Sequence, residues 1–90
     1  MACIRNIVGP QVRRLRVERD WSQPAMAVIC QKAGWDIARD TIAEIEGQTR
    51  WVSDAELVML ARCFKVSLEV LLPISSTVER SAHAILAQCD

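Results

Sequence analysis

The chain has 90 residues, which suffices for one domain but leaves little room for a second core or a deep catalytic pocket. Its formal net charge is zero, so no global field attracts it to nucleic acid. Hydrophobic residues make up 51% of it and are mostly aliphatic, with one Phe and no Tyr, which favours packed helices over a sheet. We therefore expect a small binding module.

The charges are unevenly distributed along the chain. Residues 1–50 contain eight Lys or Arg and six acidic residues, whereas residues 51–90 contain three and five. A basic surface must therefore be local, and its candidates are Arg13, Arg14, Arg19, Lys32, Arg39 and Arg50.

The first helix is predicted from about Pro10 to Arg19, after a short apolar arm that packs through Ile4, Ile7 and Val8. Its inward positions, which follow helical spacing, are Val8, Val12 and Leu15.

The second helix is predicted from Gln23 to about Ala33, because Ser22 is a suitable N-cap. Gly34 is the expected helix stop. The expected buried residues are Met26, Ala27 and Cys30 on the helix and Trp35 and Ile37 in the connection that follows.

The third helix is predicted over residues 38–47, with Ile42 and Ile45 on one narrow apolar face. Ala38 at its start cannot accept a capping hydrogen bond, which costs about 1 kcal/mol unless Asp36 or Asp40 substitutes.

The fourth helix begins with a capping box from Ser53 to Glu56, and Lys65 falls at its end, where a left-handed residue is usual. Its predicted core face consists of Leu57, Leu60, Ala61 and Phe64. A fifth helix is predicted over Leu68–Leu72, with Ser67 as its cap and Pro73 as its stop. A sixth is predicted from Thr77 to about Cys89.

The sequence predicts no metal ion, cofactor, small-molecule ligand or catalytic site. The four cysteines are widely spaced, and His83 has no acid or nucleophile near it in sequence. Cys30 and Cys63 lie on apolar helix faces and are expected to be buried free thiols. No apolar run reaches the ~18 residues of a membrane span and no signal peptide opens the chain, so we expect a cytoplasmic protein without a membrane partner.

The three tryptophans, Trp21, Trp35 and Trp51, each lie where a loop closes over an apolar helix face. We expect them to pack as core or lid residues; the alternative is that they stack on bases.

The order of these features resembles the Cro/repressor-type (Xre-like, lambda-repressor-like) helix-turn-helix family, in its long-turn variant. The resemblance runs from about Gly9 to Pro73. It is carried by Gly9 with the Arg-rich first helix, Ser22-Gln23 before Met26-Ala27, Ile42-Ala43-Glu44-Ile45-Glu46, and Val66-Ser67-Leu68-Glu69-Val70-Leu71-Leu72. It implies an all-α, five-helix domain in residues 1–73. Beyond the resemblance, the capping-box pattern of residues 76–79 predicts an additional C-terminal helix within residues 74–90.

The resemblance also implies which residues meet DNA. Arg, carboxylate and Thr side chains can all contact base edges in the major groove. The alternative is that the third helix carries only a solvated polar face, and its acids favour that alternative because they repel phosphates. The implied base-facing residues are Arg39, Asp40, Thr41 and Glu44, and the implied backbone-contacting residues are Gln23, Arg13 and Arg50.

A structural ion pair between Arg16 and Glu46 is implied in the same way, tying the first helix to the end of the third. The alternative is two unrelated surface charges.

The resemblance therefore implies a sequence-specific regulator of transcription, repressor-like, that binds double-stranded DNA. The alternatives are a protein-interaction module or an antitoxin of the same fold with weak or no DNA affinity. The apolar stripe of Val78, Ala82, Ile85 and Cys89 predicts a homodimer through residues 77–89. The alternative is that this stripe folds back over the first and fifth helices.

Overall fold

A computed structural model of the protein describes residues 4–73. This part of the chain is all-helical, with no β-strand in it. It contains four α-helices, α1 (Gly9–Glu18), α2 (Gln23–Lys32), α3 (Arg39–Glu46) and α4 (Asp54–Phe64), and a 3-10 helix (Leu68–Leu71). The predicted sixth helix and the dimer contact through residues 77–89 lie outside the described residues.

The helices surround one apolar core, to which every element and the N-terminal arm contribute. α3 packs against both α1 and α2, while α4 packs against α2, α1 and the 3-10 helix. The inward positions predicted for the first three helices are confirmed, and Leu57 is half-buried against the core. The core consists of Val8, Val12, Leu15, Met26, Ala27, Cys30, Ile37, Ile42, Ile45, Leu60, Ala61, Cys63, Phe64 and Leu71.

Two of the predicted N-caps are present. The Ser22 hydroxyl accepts a hydrogen bond from the Ala25 N–H at 3.1 Å. At the start of α4 the Ser53 hydroxyl accepts from the Glu56 N–H at 3.1 Å, and the Glu56 carboxylate accepts from the Ser53 N–H at 3.0 Å. These local contacts fix where α2 and α4 begin.

At two other helix starts no side-chain cap forms, and the prediction for one of them, Ser67, is wrong. α3 begins after Ala38 with no side-chain cap, so neither Asp36 nor Asp40 replaces it. Ser67 likewise gives no side-chain cap, and the segment it precedes is a 3-10 helix that ends one residue before the predicted Leu72. The reason lies in Pro73, because a residue that precedes proline disfavours helical geometry, and Leu72 is extended with ψ of 143°.

All four α-helices end in the same kind of turn. In each turn, a residue one or two positions after the helix end has a positive φ. The N–H of the residue that follows it donates to a carbonyl five residues earlier in the chain. Gly34 adopts this conformation after α2 with φ of 98°, which confirms the predicted stop. The other three turns use a side-chain-bearing residue, namely Asp20, Gln48 and Lys65.

The tryptophans differ in burial. Trp21 and Trp35 are half-buried against the core, as predicted. The prediction for Trp51 is wrong, since its residue surface is 52% exposed. Trp51 lies in the loop between α3 and α4. Among residues 4–73, each helix is too short or too polar to cross a lipid bilayer.

Candidate nucleic-acid interface

α3 is held by two isoleucines and presents its remaining surface outward. Ile42 and Ile45 are both completely buried. The predicted base-facing residues lie on the other sides of the helix, where Arg39, Asp40 and Glu44 are exposed and Thr41 is half-buried. Arg39, Asp40 and Thr41 form the first turn, so the N-terminal end of α3 is the polar and accessible one.

Arg39 and Asp40 contact each other within that first turn. Their side chains are 67% and 87% exposed, and Arg39 Nε lies 3.6 Å from Asp40 Oδ1. An ion pair this exposed contributes little to stability, so both groups can exchange this contact for another partner. The Glu44 carboxylate has no ion pair or side-chain hydrogen bond within residues 4–73 and leaves a negative charge on the same helix.

Arg16 and Glu46 form a bidentate ion pair between α1 and the end of α3. Arg16 Nε lies 2.6 Å from Glu46 Oε2, and Arg16 Nη2 lies 3.1 Å from Glu46 Oε1. The side chains are only 13% and 6% exposed. The hydrogen bond to Glu46 raises the pKa of Arg16, against the opposing effect of burial. The remaining Arg16 amino group donates to the Trp21 carbonyl at 2.8 Å, which joins the turn after α1 to the same cluster.

Gln23 joins this cluster from the first residue of α2. Its amide Nε2 donates to Glu46 Oε1 at 3.2 Å. The half-buried Gln23 therefore links the start of α2 to the end of α3. Three helices meet at the Glu46 carboxylate, which sets how α2 and α3 lie relative to each other.

Arg50, the second predicted backbone-contacting residue, has an internal partner. Its Nη2 lies 3.3 Å from Glu56 Oε2, and the two side chains are 40% and 22% exposed. Its Nε is buried and has no hydrogen-bond partner among the described residues. Burial acts to raise the pKa of Glu56, but hydrogen bonds from the Ser53 N–H and Arg50 outweigh it, and this pKa is lowered.

Arg13, the third predicted backbone-contacting residue, is exposed. It makes no ion pair or side-chain hydrogen bond within the described part of the chain. It lines a shallow surface hollow of about 450 Å³ with Pro10, Arg14, Val17 and Glu46. Arg13 therefore lies on the side of α1 that adjoins the Glu46 cluster.

Arg19 does not belong to a free basic surface, although its charge suggested so. Its guanidinium lies 5.7 Å from the ring centroid of Trp21 and 5.2 Å from that of Phe64, and these two rings stack at 5.5 Å. It also donates to the carbonyls of Leu15 and Phe64 at 3.2 and 2.9 Å. A cation at the last carbonyls of α4 is favoured by the helix dipole, so Arg19 ties α1 to α4.

The exit of α3 is supported by Asn6, which sequence reasoning missed, and by Gly9, which the sequence analysis noted only as part of the family resemblance. Asn6 is 5% exposed, and its amide nitrogen donates to the carbonyls of Ile45 and Arg50 at 3.1 and 2.8 Å. Gly9 packs so closely that a Cβ there would lie 2.3 Å from the Ile45 carbonyl oxygen. Asn6 makes a third hydrogen bond, in which its Oδ1 accepts from the Gly9 N–H at 2.8 Å. Because Asn6 lies three residues before Gly9, this local bond is the one that the sequence could have indicated.

Cys30 and Cys63 are both free and buried in the core, as predicted. A hydrogen bond to Cys63, together with burial, raises the pKa of the Cys30 thiol. Within residues 4–73, no three His, Cys, Asp or Glu side chains come together as a metal site.

The fold and the site define an all-α domain with one short, exposed polar helix between two supporting helices. No protein-family model matches the chain, and no curated protein is significantly similar to it. The chain is similar to the crystal structure of a hypothetical transcription factor from Neisseria. That similarity has a TM-score of 0.64 at 23% sequence identity, over 86% of this chain and 84% of that chain. At this identity it shows the fold alone.

Proposed function

We propose that the protein is a sequence-specific regulator of transcription that binds double-stranded DNA, with α3 in the major groove. The observation that carries the proposal is the first turn of α3. Arg39, Asp40 and Thr41 follow one another there, the first two largely exposed, while two fully buried isoleucines anchor the helix from below. Side chains of these types suit the donors and acceptors on base edges.

The supporting contacts fit a helix that must be presented rigidly. Glu46 receives hydrogen bonds from Arg16 on α1 and Gln23 on α2, so both neighbouring helices restrain the end of α3. Base discrimination depends on such positioning because a hydrogen bond weakens steeply when its geometry is poor. The fold of the hypothetical transcription factor from Neisseria gives further support.

In this proposal Arg13, Gln23 and Arg50 contact the DNA backbone. Arg13 is exposed and has no internal partner within the described residues, so it can meet a phosphate without breaking another contact. Arg50 must give up or share its contact with Glu56. The full proposal is a repressor-like cytoplasmic homodimer, paired through residues 77–89, with no catalytic reaction.

A second candidate function is a protein-interaction module or antitoxin of the same fold. The observation in its favour is the acidity of the exposed α3 surface, where Asp40 neighbours Arg39 and Glu44 is unpaired within residues 4–73. Acids at these positions weaken attraction to phosphates.

Selection of bound duplexes from a random DNA pool, followed by anisotropy titrations at several salt concentrations, tests the proposal. We expect one preferred sequence and an affinity that falls steeply with salt, because binding releases counterions. Arg39→Ala should weaken the preferred duplex by about 1 to 3 kcal/mol and relax preference at one base pair. Arg13→Ala is the matched control, since it should weaken all duplexes alike. Absence of any preferred duplex, with a flat salt response, would instead favour the second candidate.

A further inference from the structure

Asn6 is buried, with 5% of its surface exposed, and every polar group of its side chain is used. Its Nδ2 donates to the Ile45 and Arg50 carbonyls, and its Oδ1 accepts from the Gly9 N–H. Both amide hydrogens and the amide oxygen therefore have a partner. The Asn6 main-chain carbonyl accepts in turn from Gln48 Nε2 at 3.0 Å.

These contacts join the N-terminal arm to the segment that leaves α3. The Arg5 N–H adds a hydrogen bond to the Gln48 carbonyl at 3.0 Å. The arm is thus fastened to residues 45–50 by side-chain and main-chain bonds, with Asn6 at the centre. A buried donor that loses its acceptor costs free energy, so this segment cannot shift away from α1 without a penalty.

The segment held in this way carries Arg50. The Arg50 carbonyl is bound by Asn6 at 2.8 Å, and its side chain extends from that fixed point to Glu56 at 3.3 Å. The direction in which the guanidinium leaves the backbone is therefore set partly by a residue 44 positions earlier in the chain.

We propose that Asn6 is a positioning residue for DNA binding: with Gln48 it holds the backbone at Arg50 so that the guanidinium can reach a phosphate. This inference rests on the proposed function and deepens it. Asn6 itself does not touch DNA. Its effect on affinity passes through Arg50, and this dependence separates it from a residue that only stabilises the domain.

A double-mutant cycle tests the inference with the duplex selected from the random pool. Asn6→Ser removes the amide donors but keeps a hydroxyl near the Gly9 N–H. We expect Asn6→Ser to weaken binding about tenfold when Arg50 is present and less than about threefold in the Arg50→Ala background. Binding is measured at a temperature where circular dichroism shows each variant to be folded.

Gln11→Ala is the matched control, because it also removes an amide donor from a carbonyl, that of Val70 at 2.8 Å, at a site away from Arg50. It should leave DNA affinity unchanged. If Asn6→Ser does not fold, Gln48→Asn takes its place. Asn tolerates the positive φ of residue 48 but is one methylene too short to keep the bond to Asn6. We expect Gln48→Asn to weaken binding only when Arg50 is present.

The outcomes separate the two proposals. If the wild-type protein prefers a duplex but Asn6→Ser binds it equally well, or loses as much affinity without Arg50 as with it, the role of Asn6 is refuted and the proposed function stands. If the wild-type protein prefers no duplex, both proposals are refuted.

Discussion

Replacement of Glu46 by Ala is the most informative test of how α3 is supported. The Glu46 carboxylate accepts hydrogen bonds from Arg16 Nε, Arg16 Nη2 and Gln23 Nε2. The substitution removes all three acceptor contacts at once. Within residues 4–73, it leaves the Arg16 guanidinium with one hydrogen bond, to the Trp21 carbonyl.

The magnitude follows from the burial of the pair. Exposed ion pairs contribute about 0 to 1 kcal/mol, but the side chains of Arg16 and Glu46 are only 13% and 6% exposed. Removal of one partner from a buried pair costs about 3 to 5 kcal/mol, because the other charge remains without compensation. Since Arg16 keeps some exposure and the Trp21 contact, we expect a loss of about 3 kcal/mol in the free energy of unfolding.

Urea unfolding followed by far-UV circular dichroism measures this loss, with an unchanged denaturant slope as the sign that only stability has changed. The double variant Arg16→Met/Glu46→Ala should recover part of it, because no unpaired charge then remains. Arg14→Ala is the control, since the Arg14–Glu18 pair has side chains that are both 52% exposed and should contribute little. A Glu46→Ala protein as stable as the wild type would refute the reasoning.

Three further predictions concern single positions. Gly9→Ala should destabilise the fold by about 2 kcal/mol or more, because its Cβ would overlap the Ile45 carbonyl. In Gly47→Ala the new Cβ would lie 3.3 Å from its nearest neighbour, the Ala43 carbonyl oxygen, so the loss of stability should be much smaller than in Gly9→Ala. Equal urea midpoints for the two variants would contradict this. Ala38→Ser should add about 1 kcal/mol by capping α3, seen as a higher melting temperature, and an unchanged melt would show that the cap does not form. The pKa of Glu56 is lowered from its ordinary value of 4.5, so its ionised form stabilises the fold above that pH, and this contribution is lost as pH falls through the folded-state pKa. Between about pH 5 and pH 3, the free energy of unfolding should therefore fall less in Glu56→Gln than in the wild type. An equal fall in both proteins would contradict a stabilising role for the ionised Glu56.

Features that depend on neighbouring residues were predictable from the sequence. Ser22 as a cap and the Ser53–Glu56 capping box were found because each partner lies three residues away. The buried faces of the helices were found because burial repeats with the helical period. Local spacing was therefore enough to locate α2 and α4.

Features that depend on distant parts of the chain were not predictable in the same way. Asn6 looks like an ordinary surface residue in sequence, because two of its acceptors lie 39 and 44 residues away. Trp51 was expected to be covered, but hydrophobicity cannot reveal whether a neighbour reaches a given loop. Arg19 was assigned to a basic surface for its charge, although its partners lie on α4 and near α1. The pairing of Arg16 with Glu46 followed from a family resemblance and not from spacing, since 30 residues separate them.

The turns that end α1, α3 and α4 limit how this sequence can drift over evolutionary time. Asp20, Gln48 and Lys65 lie at or near the surface, where burial alone would allow almost any substitution. Their positive φ values of 57°, 62° and 55°, however, restrict which residue types these positions accept. Gly and Asn adopt this backbone readily, whereas β-branched residues such as Val and Ile are strongly disfavoured. Homologues should therefore avoid branched side chains at all three positions. At positions 20 and 65 they should vary freely in charge, a selective pattern that arises from backbone geometry without any contact to a ligand, whereas position 48 also carries the amide that donates to the Asn6 carbonyl.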